Sequence, residues 1–503
     1  MSGRPAGPTP IEGGPEAAGE RLGTHPVEVP ASILDRVREG GGTVELGAGA
    51  RAEAGRDWWP IAIGWAAAGQ VPARPAAVVR PVTTSQVSEL LASCADALVP
   101  VTAMGGRSGV CGGAVPLFGG VALDCTGLVG DVHVDEESLL AEVPAGTGGR
   151  DLEDALRRCA AGYTLGHWPQ SIDLSTVGGW IACRSAGQYS TRYGKIEDMV
   201  AGLEVVLADG RVVRTGAQGP RAATGPDLTQ LFAGSEGVLG VITRAWLRVH
   251  PVAPAEGRRA YGFCDLAAGL DACRRILRRG ATPAVLRLYD RAESERTFSR
   301  PDLCVLVVLD EADPGLLGAT LQVVDDECAA GARVDDALVA HWLDTRFDVS
   351  ALGPLWQAGV VVDTAEVAAR WARLPALARD VVAALRALDG TIAASVHLSH
   401  AYADGACLYF TFAGSRARGG ADAAWTEAYY RGAWDALNGA LCAHDAAISH
   451  HHGIGLNRAR FLAPALGEAH HVLVELKRAL DPAGILNPGK LGIPSPFGGS
   501  PWP

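Results

Sequence analysis

Apolar and polar positions fall into a clear period from Ala73 onward. From there the chain reads as short strands and amphipathic helices separated by glycine-rich turns. AAVVRPVTTSQVSELLASCA predicts a short strand, a helix start at Pro-Val-Thr-Thr, and a helix whose apolar face carries Val87, Leu90, Leu91 and Cys94. LVPVTAM is a strand that runs into the glycine-rich loop GGRSGVCGG, residues 105–113. VALDCT and LLAEVPAG are further strands, and DLEDALRRCA is a helix with Leu152, Ala155, Leu156 and Cys159 on one face. LEVVLADGRVVRTG predicts a hairpin turned at Asp209-Gly210. GPDLTQLFAGSEGVLGVITRAWLRVHP then gives a short helix, a glycine turn and a long strand.

A second unit follows. YGFCD, AVLRLYD and CVLVVLD read as strands, LAAGLDACRRILRRG and the segment around TLQVVDDECAAGA as helices, and SVHLSHAYADGACLYFTFA as a strand or hairpin. This mixed order predicts an antiparallel sheet with helices on one face. WTEAYYRGAWDALNGALCAHD is a helix leading into ISHHHGIG, and a later helix stops at Pro482. The flanks differ in character. Residues 1–27 are rich in Gly, Pro, Ala and Glu without periodicity, which predicts a disordered tail. Residues 28–72 read as a helical segment, and 493–503, ending PSPFGGSPWP, as a loose tail.

Composition narrows the function classes. The chain has 503 residues, enough for two or three domains. A formal net charge of −12 argues against a general nucleic-acid surface. Eleven scattered cysteines include no CxxC pair, which argues against a zinc ribbon or iron–sulfur cluster and fits a reducing cytoplasm. No apolar run reaches the roughly 18 residues of a membrane span. GAGARAEAG, from Gly47, lacks the third glycine of a dinucleotide fingerprint because Ala52 stands there.

The stretch LGHWPQSIDLSTVGGWIACRSAGQYSTRYGKIED, residues 165–198, combines Ser175, Thr176, Gly178, Gly179, Ser185, Ala186 and Gly187. Glycine lets backbone approach a ligand, and hydroxyls with free N–H groups donate to phosphate oxygens. With the 105–113 loop, this predicts a cradle for a large phosphorylated cofactor. Three consecutive histidines, His450, His451 and His452, precede Gly453-Ile454-Gly455. Imidazoles exchange protons near neutral pH, so they are acid/base candidates.

VVRPVTTSQV, PVTAMGGRSGVCGG, PQSIDLSTVGGWIACRSAGQYSTRYGKIEDMV, GSEGVLGVIT and ALDPAGILNPGKL together resemble the vanillyl-alcohol-oxidase/p-cresol-methylhydroxylase (PCMH) superfamily of FAD enzymes, over about residues 73–492. Within it, GHWPQS, GGWIACRSAG, YGKIED, DGACLYF and SHHHGIG resemble the alkyl-dihydroxyacetonephosphate synthases most. The resemblance implies an α+β fold. A PCMH-type FAD-binding domain would span 73–252, an antiparallel-sheet cap for the substrate 253–445, and a C-terminal segment returning to the flavin 446–492. It implies FAD contacts at Thr102, Ala103, Met104, Gly105, Gly106, Arg107 and Ser108, and at Gln170, Ser171, Ile172, Asp173, Leu174, Ser175 and Thr176. Further contacts are implied at Ala182, Cys183, Arg184 and Ser185, and at Glu236, Gly237, Val238, Leu239, Gly240, Val241 and Ile242. Covalent-flavin relatives carry a histidine in the loop that here reads Gly106-Arg107-Ser108-Gly109-Val110, so non-covalent FAD is expected. A homodimer is a family expectation, and the electron acceptor is left open.

For catalysis the resemblance implies Tyr409, His450, His451 and His452 as acid/base groups, with Arg287 and Arg370 near the polar end of the substrate. His167 and Trp168 are expected to shape the pocket. Some 2-hydroxy-acid dehydrogenases of the superfamily bind a divalent cation through GHxGDGNxH and EHGIG. Here SHAYADGACLY and HHGIG stand instead: His400 matches the first ligand, but Tyr409 lies near the second and His451 replaces the glutamate. A phenol keeps its proton at neutral pH, so no metal is expected. Two reaction classes stay open. One is two-electron oxidation of a small 2-hydroxy-acid-like or phosphorylated substrate, with hydride passing to flavin N5. The other exchanges the acyl group of acyl-dihydroxyacetone phosphate for a fatty alcohol. The segment 340–365 shows no recognisable lipid feature, which favours oxidation; an apolar tunnel reaching the flavin would favour exchange.

Overall fold

A computed structural model describes residues 9–216, 219–416 and 422–502. Two sheets build the first domain. One is four-stranded, in the order Thr43–Glu45, Ala77–Arg80, Val121–Asp124, Val101–Met104. The last three strands are parallel. Parallel strands need a crossover, and helix Thr84–Asp96 is one, joining the two strands that flank Val121–Asp124. Thr83 caps it by accepting from the Gln86 N–H, and Val87, Leu90, Leu91 and Cys94 are buried in one core with Val79, Val101 and Leu123. The other sheet is antiparallel, with the order Val212–Gly216, Val200–Val206, Val241–Arg248, Leu140–Pro144, His133–Asp135. Its hairpin pairs Val206 with Val212, and Gly210 supplies φ 84° in the turn.

The second domain is a seven-stranded antiparallel sheet. Its order is Ala332–Arg333, Ala255–Phe263, Cys304–Ala312, Val285–Tyr289, Thr391–Ala401, Gly405–Gly414, Val361–Arg370. Helices Leu266–Arg278, Pro314–Glu327 and Leu374–Arg386 pack on it. Cross-strand register decides which side chains share a face. Tyr289 pairs with His397, His397 with Tyr409, and Tyr409 with Glu366. Residues two apart keep the same face, so Arg287 joins them. The polar face is therefore assembled from four separate strands.

Residues 468–490 return to the first domain. Lys477, on helix Glu468–Leu480, donates to the carbonyls of Val238 (2.8 Å) and Leu486 (2.7 Å). Asn487 Nδ2 donates to Glu236 O at 2.7 Å, and Lys490 Nζ to Val115 O at 2.8 Å.

Both predicted tails need correction. Residues 1–8 lie outside the described residues, but Ile11, Ala18 and Leu22 are buried, and Gly19–Glu20 pairs with Gln70–Val71 as parallel strands. Trp502 is 3% exposed, edge-on to Trp59 (5.1 Å) and Trp65 (5.5 Å), with the Arg431 guanidinium 4.6 Å from its ring. Local composition predicts disorder, yet a few large apolar side chains with distant partners suffice to order a segment. Among the described residues, no helix is long and apolar enough to cross a membrane.

Candidate active site

A cavity of about 560 Å³ separates the glycine loops of the first domain from the polar face of the seven-stranded sheet. The loops meet backbone to backbone. A Cβ on Gly105 would lie 2.2 Å from Thr176 Oγ1, and one on Gly106 would lie 1.8 Å from Leu174 O. The backbone N–H groups of residues 106–110 donate to no protein acceptor among the described residues. Arg107 holds φ 55°, which turns this loop toward the cavity at a conformational cost. Converging free N–H groups are the chemistry a pyrophosphate needs, so this cradle fits a dinucleotide flavin. Glu236, at φ 49°, accepts from the N–H of Ile454 (2.6 Å) and of Gly455 (2.8 Å) and so ties the GSEG turn to the histidine loop.

Ala103, Met104, Gly105, Gly106, Arg107 and Ser108 line the cavity, as do Gln170, Ser171, Leu174, Ser175 and Thr176. So do Ala182, Cys183, Ser185, Glu236, Gly237, Gly240, Val241 and Ile242. Six expected cofactor residues do not. Thr102, Ile172, Val238 and Leu239 are buried in the core, where strand and turn alternation points them away. Asp173 pairs with Arg150 at 2.8 Å on the surface, and Arg184 turns outward to Glu197 at 3.7 Å.

Tyr409, His451, His452 and Arg287 line the same cavity. Tyr409 bonds with Thr364 Oγ1 at 2.9 Å, and burial raises its phenol pKa, so it stays protonated. The histidine loop is organised by Glu366, which is 0% exposed. Its Oε1 accepts the backbone N–H of His450 (3.2 Å), His451 (3.1 Å) and His452 (2.8 Å), and the hydroxyl of Ser449 (2.7 Å). Arg458 closes the pair from the other side. Burial alone would raise the Glu366 pKa, but Arg458 and His452 hold it well below the usual carboxylate value.

His450 does not line the cavity. It lies behind, stacked on His400 with centroids 5.0 Å apart, bonded to Tyr402 Oη at 3.0 Å and to His451 Nδ1 at 2.8 Å. Burial and then Lys195 push its pKa down to about 3. Burial also lowers His400 and His451 well below 6.5, so all three imidazoles are neutral at pH 7. His400 bonds with Ser190 Oγ at 2.7 Å, and nitrogens of His400, His450 and His451 lie within 4.8 Å of one another.

Arg370 is not in the site. Its side chain is 83% exposed at the end of its strand, 3.7 Å from Asp445. His167 is fully buried behind the flavin loop, with Nε2 2.8 Å from Ser185 Oγ. Sequence reasoning missed Arg346. Its guanidinium lies 4.5 Å from the Phe347 ring centroid, 5.2 Å from Tyr189, 5.5 Å from Trp342 and 5.7 Å from Trp168. It lines the cavity, and its buried Nε and Nη1 have no partner among the described residues. Trp342 and Phe347 stand beside it in sequence, but Trp168 and Tyr189 come from a distant segment. Asp57, in GRDWWP, was also missed. It is 3% exposed and lines the cavity, its buried Oδ2 has no partner among the described residues, and burial pushes its carboxyl up to about 7.

A glycine-loop cradle facing a polar sheet face defines a flavoenzyme, and comparison with known proteins says which kind. Residues 75–216 match the family described as FAD binding domain, and 258–491 match FAD linked oxidases, C-terminal domain. The FAD-linked oxidoreductase YgcU of Escherichia coli O157:H7 is 32% identical over 442 residues, 83% of this chain and 89% of that one. The alkyldihydroxyacetonephosphate synthase of Dictyostelium discoideum is 28% identical, over 84% of this chain and 74% of its own. A solved alkyldihydroxyacetonephosphate synthase superposes with a TM-score of 0.77 at 23% identity, covering 94% of this chain and 89% of that one. A p-cresol methylhydroxylase with substrate bound gives 0.72 at 18%, covering 94% and 99%. The chain belongs to the FAD-linked oxidoreductase family, and its cofactor is FAD.

Proposed function

We propose that this flavoenzyme oxidises a small hydroxylated anion, a 2-hydroxy acid or a phosphorylated alcohol, with non-covalently held FAD. One observation carries the reading: Arg287 and Arg346, each with a buried guanidinium N–H that lacks a protein acceptor among the described residues, both line the cavity that holds Tyr409, His451 and His452. Guanidinium grips carboxylate or phosphate in a planar fork. His452, whose Nδ1 stands 3.1 Å from Glu366, takes the hydroxyl proton on its far nitrogen. The Tyr409 phenol stays protonated and donates to the substrate oxygen. Trp342 walls the cavity and excludes water. FAD, held against Gly105, Gly106, Ser175 and Thr176, would supply the hydride acceptor. The absence of histidine from Gly106–Val110 supports non-covalent binding.

A second reading has its own support. Trp58, Pro60, Trp342, Val349 and Leu352 line the same cavity and make one part of it apolar. That suits exchange of an acyl group for a fatty alcohol on a phosphorylated headgroup held by the same arginines. Anaerobic addition of 2-hydroxy acids and small phosphorylated alcohols, followed by visible flavin absorbance, separates the two. Bleaching by one of them supports oxidation. An unbleached flavin together with acyl-for-alkyl exchange on acyl-dihydroxyacetone phosphate supports the second reading.

A further inference from the structure

Arg287 does not stand alone. Its Nη2 lies 2.7 Å from His397 Nε2. A guanidinium only donates, so Nε2 must carry the lone pair and Nδ1 the hydrogen. Nδ1 in turn faces Glu293 Oε2 at 2.7 Å. Glu293 is 2% exposed on helix Arg291–Phe298, and it also accepts from Ser395 Oγ (3.0 Å) and Thr411 Oγ1 (3.2 Å). The imidazole is clamped between two rings: Tyr289, with centroids 5.1 Å apart, and Tyr409, at 5.0 Å. Carboxylate, imidazole and guanidinium thus form one directed line. Its outer end is Arg287, whose Nε is buried and unpartnered among the described residues.

We propose that Glu293 and His397 are positioning residues that fix the Arg287 guanidinium as the anion grip of this site. An arginine side chain carries rotamer entropy that an anion would otherwise have to quench on binding. A neutral acceptor on one Nη removes that freedom beforehand and leaves the charge uncompensated. A carboxylate placed directly on Arg287 would orient it equally well but would neutralise the grip. The interposed imidazole avoids this. The inference rests on reading Arg287 as the anion-binding residue.

The test uses the FAD-loaded protein and inorganic sulfate as the probe, with affinity read from the perturbed visible flavin spectrum. His397→Leu is expected to weaken sulfate binding about tenfold, and His397→Gln, whose carbonyl accepts from Nη2, to stay within about threefold of the parent. In an Arg287→Ala background, His397→Leu should cost nothing further. Glu293→Gln keeps the volume but no longer fixes the tautomer. It should weaken sulfate by about threefold and serves where the leucine variant loses FAD. Unchanged affinity in His397→Leu or Glu293→Gln, glutamine no better than leucine, or an equal penalty in both Arg287 backgrounds overturns the proposal. If Arg287→Ala binds sulfate like the parent, or the parent binds none, the anion-grip reading itself fails. If Arg287→Ala weakens binding while the His397 and Glu293 variants do not, only the positioning role fails.

Discussion

Glu366 Oε2 stands 3.1 Å from His452 Nδ1, while Oε1 of the same carboxylate gathers the backbone N–H groups of three successive histidines. One buried charge thereby sets the path of the loop and lies against its last imidazole. Glu366→Gln is expected to slow flavin bleaching by a reducing substrate on the order of a hundredfold. It also leaves Arg458 without its counter-charge in a fully buried setting, a loss of about 3–5 kcal/mol in urea unfolding. A variant with parental bleaching rates would remove His452 from the proton path. The Glu366 pKa is depressed below its ordinary 4.5, so its contribution is complete above that pH. It disappears only as pH falls through the depressed value.

The neutral imidazoles set a second window. His400, His450 and His451 all have folded-state pKa values below 6.5 because burial disfavours their charged forms. The unfolded chain therefore binds more protons below pH 6.5. Stability from keeping these rings neutral is full above that value and falls as pH drops, at about 1.4 kcal/mol per ring per pH unit. Melting curves between pH 7.5 and 5 should show a steep loss, partly relieved in His400→Asn. A flat profile to pH 5 would mean the rings are charged or solvated.

Two arginines give opposite expectations. Arg346 lies inside an aromatic cage with N–H groups that have no partner among the described residues, whereas Arg370 is solvated beside Asp445. Arg346→Ala should weaken binding of the anionic substrate by on the order of 10- to 100-fold. Arg346→Lys should recover little, because a lysine neither stacks nor forks. Arg370→Ala should leave the apparent substrate affinity unchanged. Equal effects in both would argue against the cage as the anion site.

The cradle makes a structural prediction. A methyl group on Gly106 collides with a backbone carbonyl, which cannot swing aside as a side-chain tip does. Gly106→Ala should therefore lose FAD, measured as the ratio of visible to ultraviolet absorbance. Gly237→Ala meets only Ala103 Cβ at 3.7 Å, but φ 77° strains it by about 1 kcal/mol, so FAD should be retained. Full flavin content in Gly106→Ala would show that the two loops can separate.

Much of this arrangement was legible in the chain. The Thr84–Asp96 helix and the Asp209-Gly210 hairpin follow from local periodicity and turn chemistry. The glycine loops were legible because a backbone approach leaves its mark on composition. Arg346 was not, since Tyr189 and Trp168 reach it only in the folded chain. Arg370 was misplaced for the complementary reason: Gly405 pairs opposite it at the rim of the sheet, far from the strand centre where Tyr409 stands. Glu366 and Glu293 carry no motif of their own, and only burial shows them beneath the site. Composition could not report the order of residues 9–27 or of Trp502, because a few anchoring contacts outweigh the average character of a segment.

The Val101 N–H donates to Ile485 O, and the Asn487 N–H donates to Val101 O, each at 2.8 Å. Asn487 then braces Glu236 and Gly113. The strand that leads into the first glycine-rich loop is thus clasped by residues synthesised nearly four hundred positions later. During translation the first domain emerges early, yet its cofactor cradle lacks this brace until residues 485–490 clear the ribosome. Flavin capture should therefore be a late, post-synthetic event, and a ribosome-stalled chain ending before Ile485 should hold FAD poorly even with the whole 75–216 region exposed.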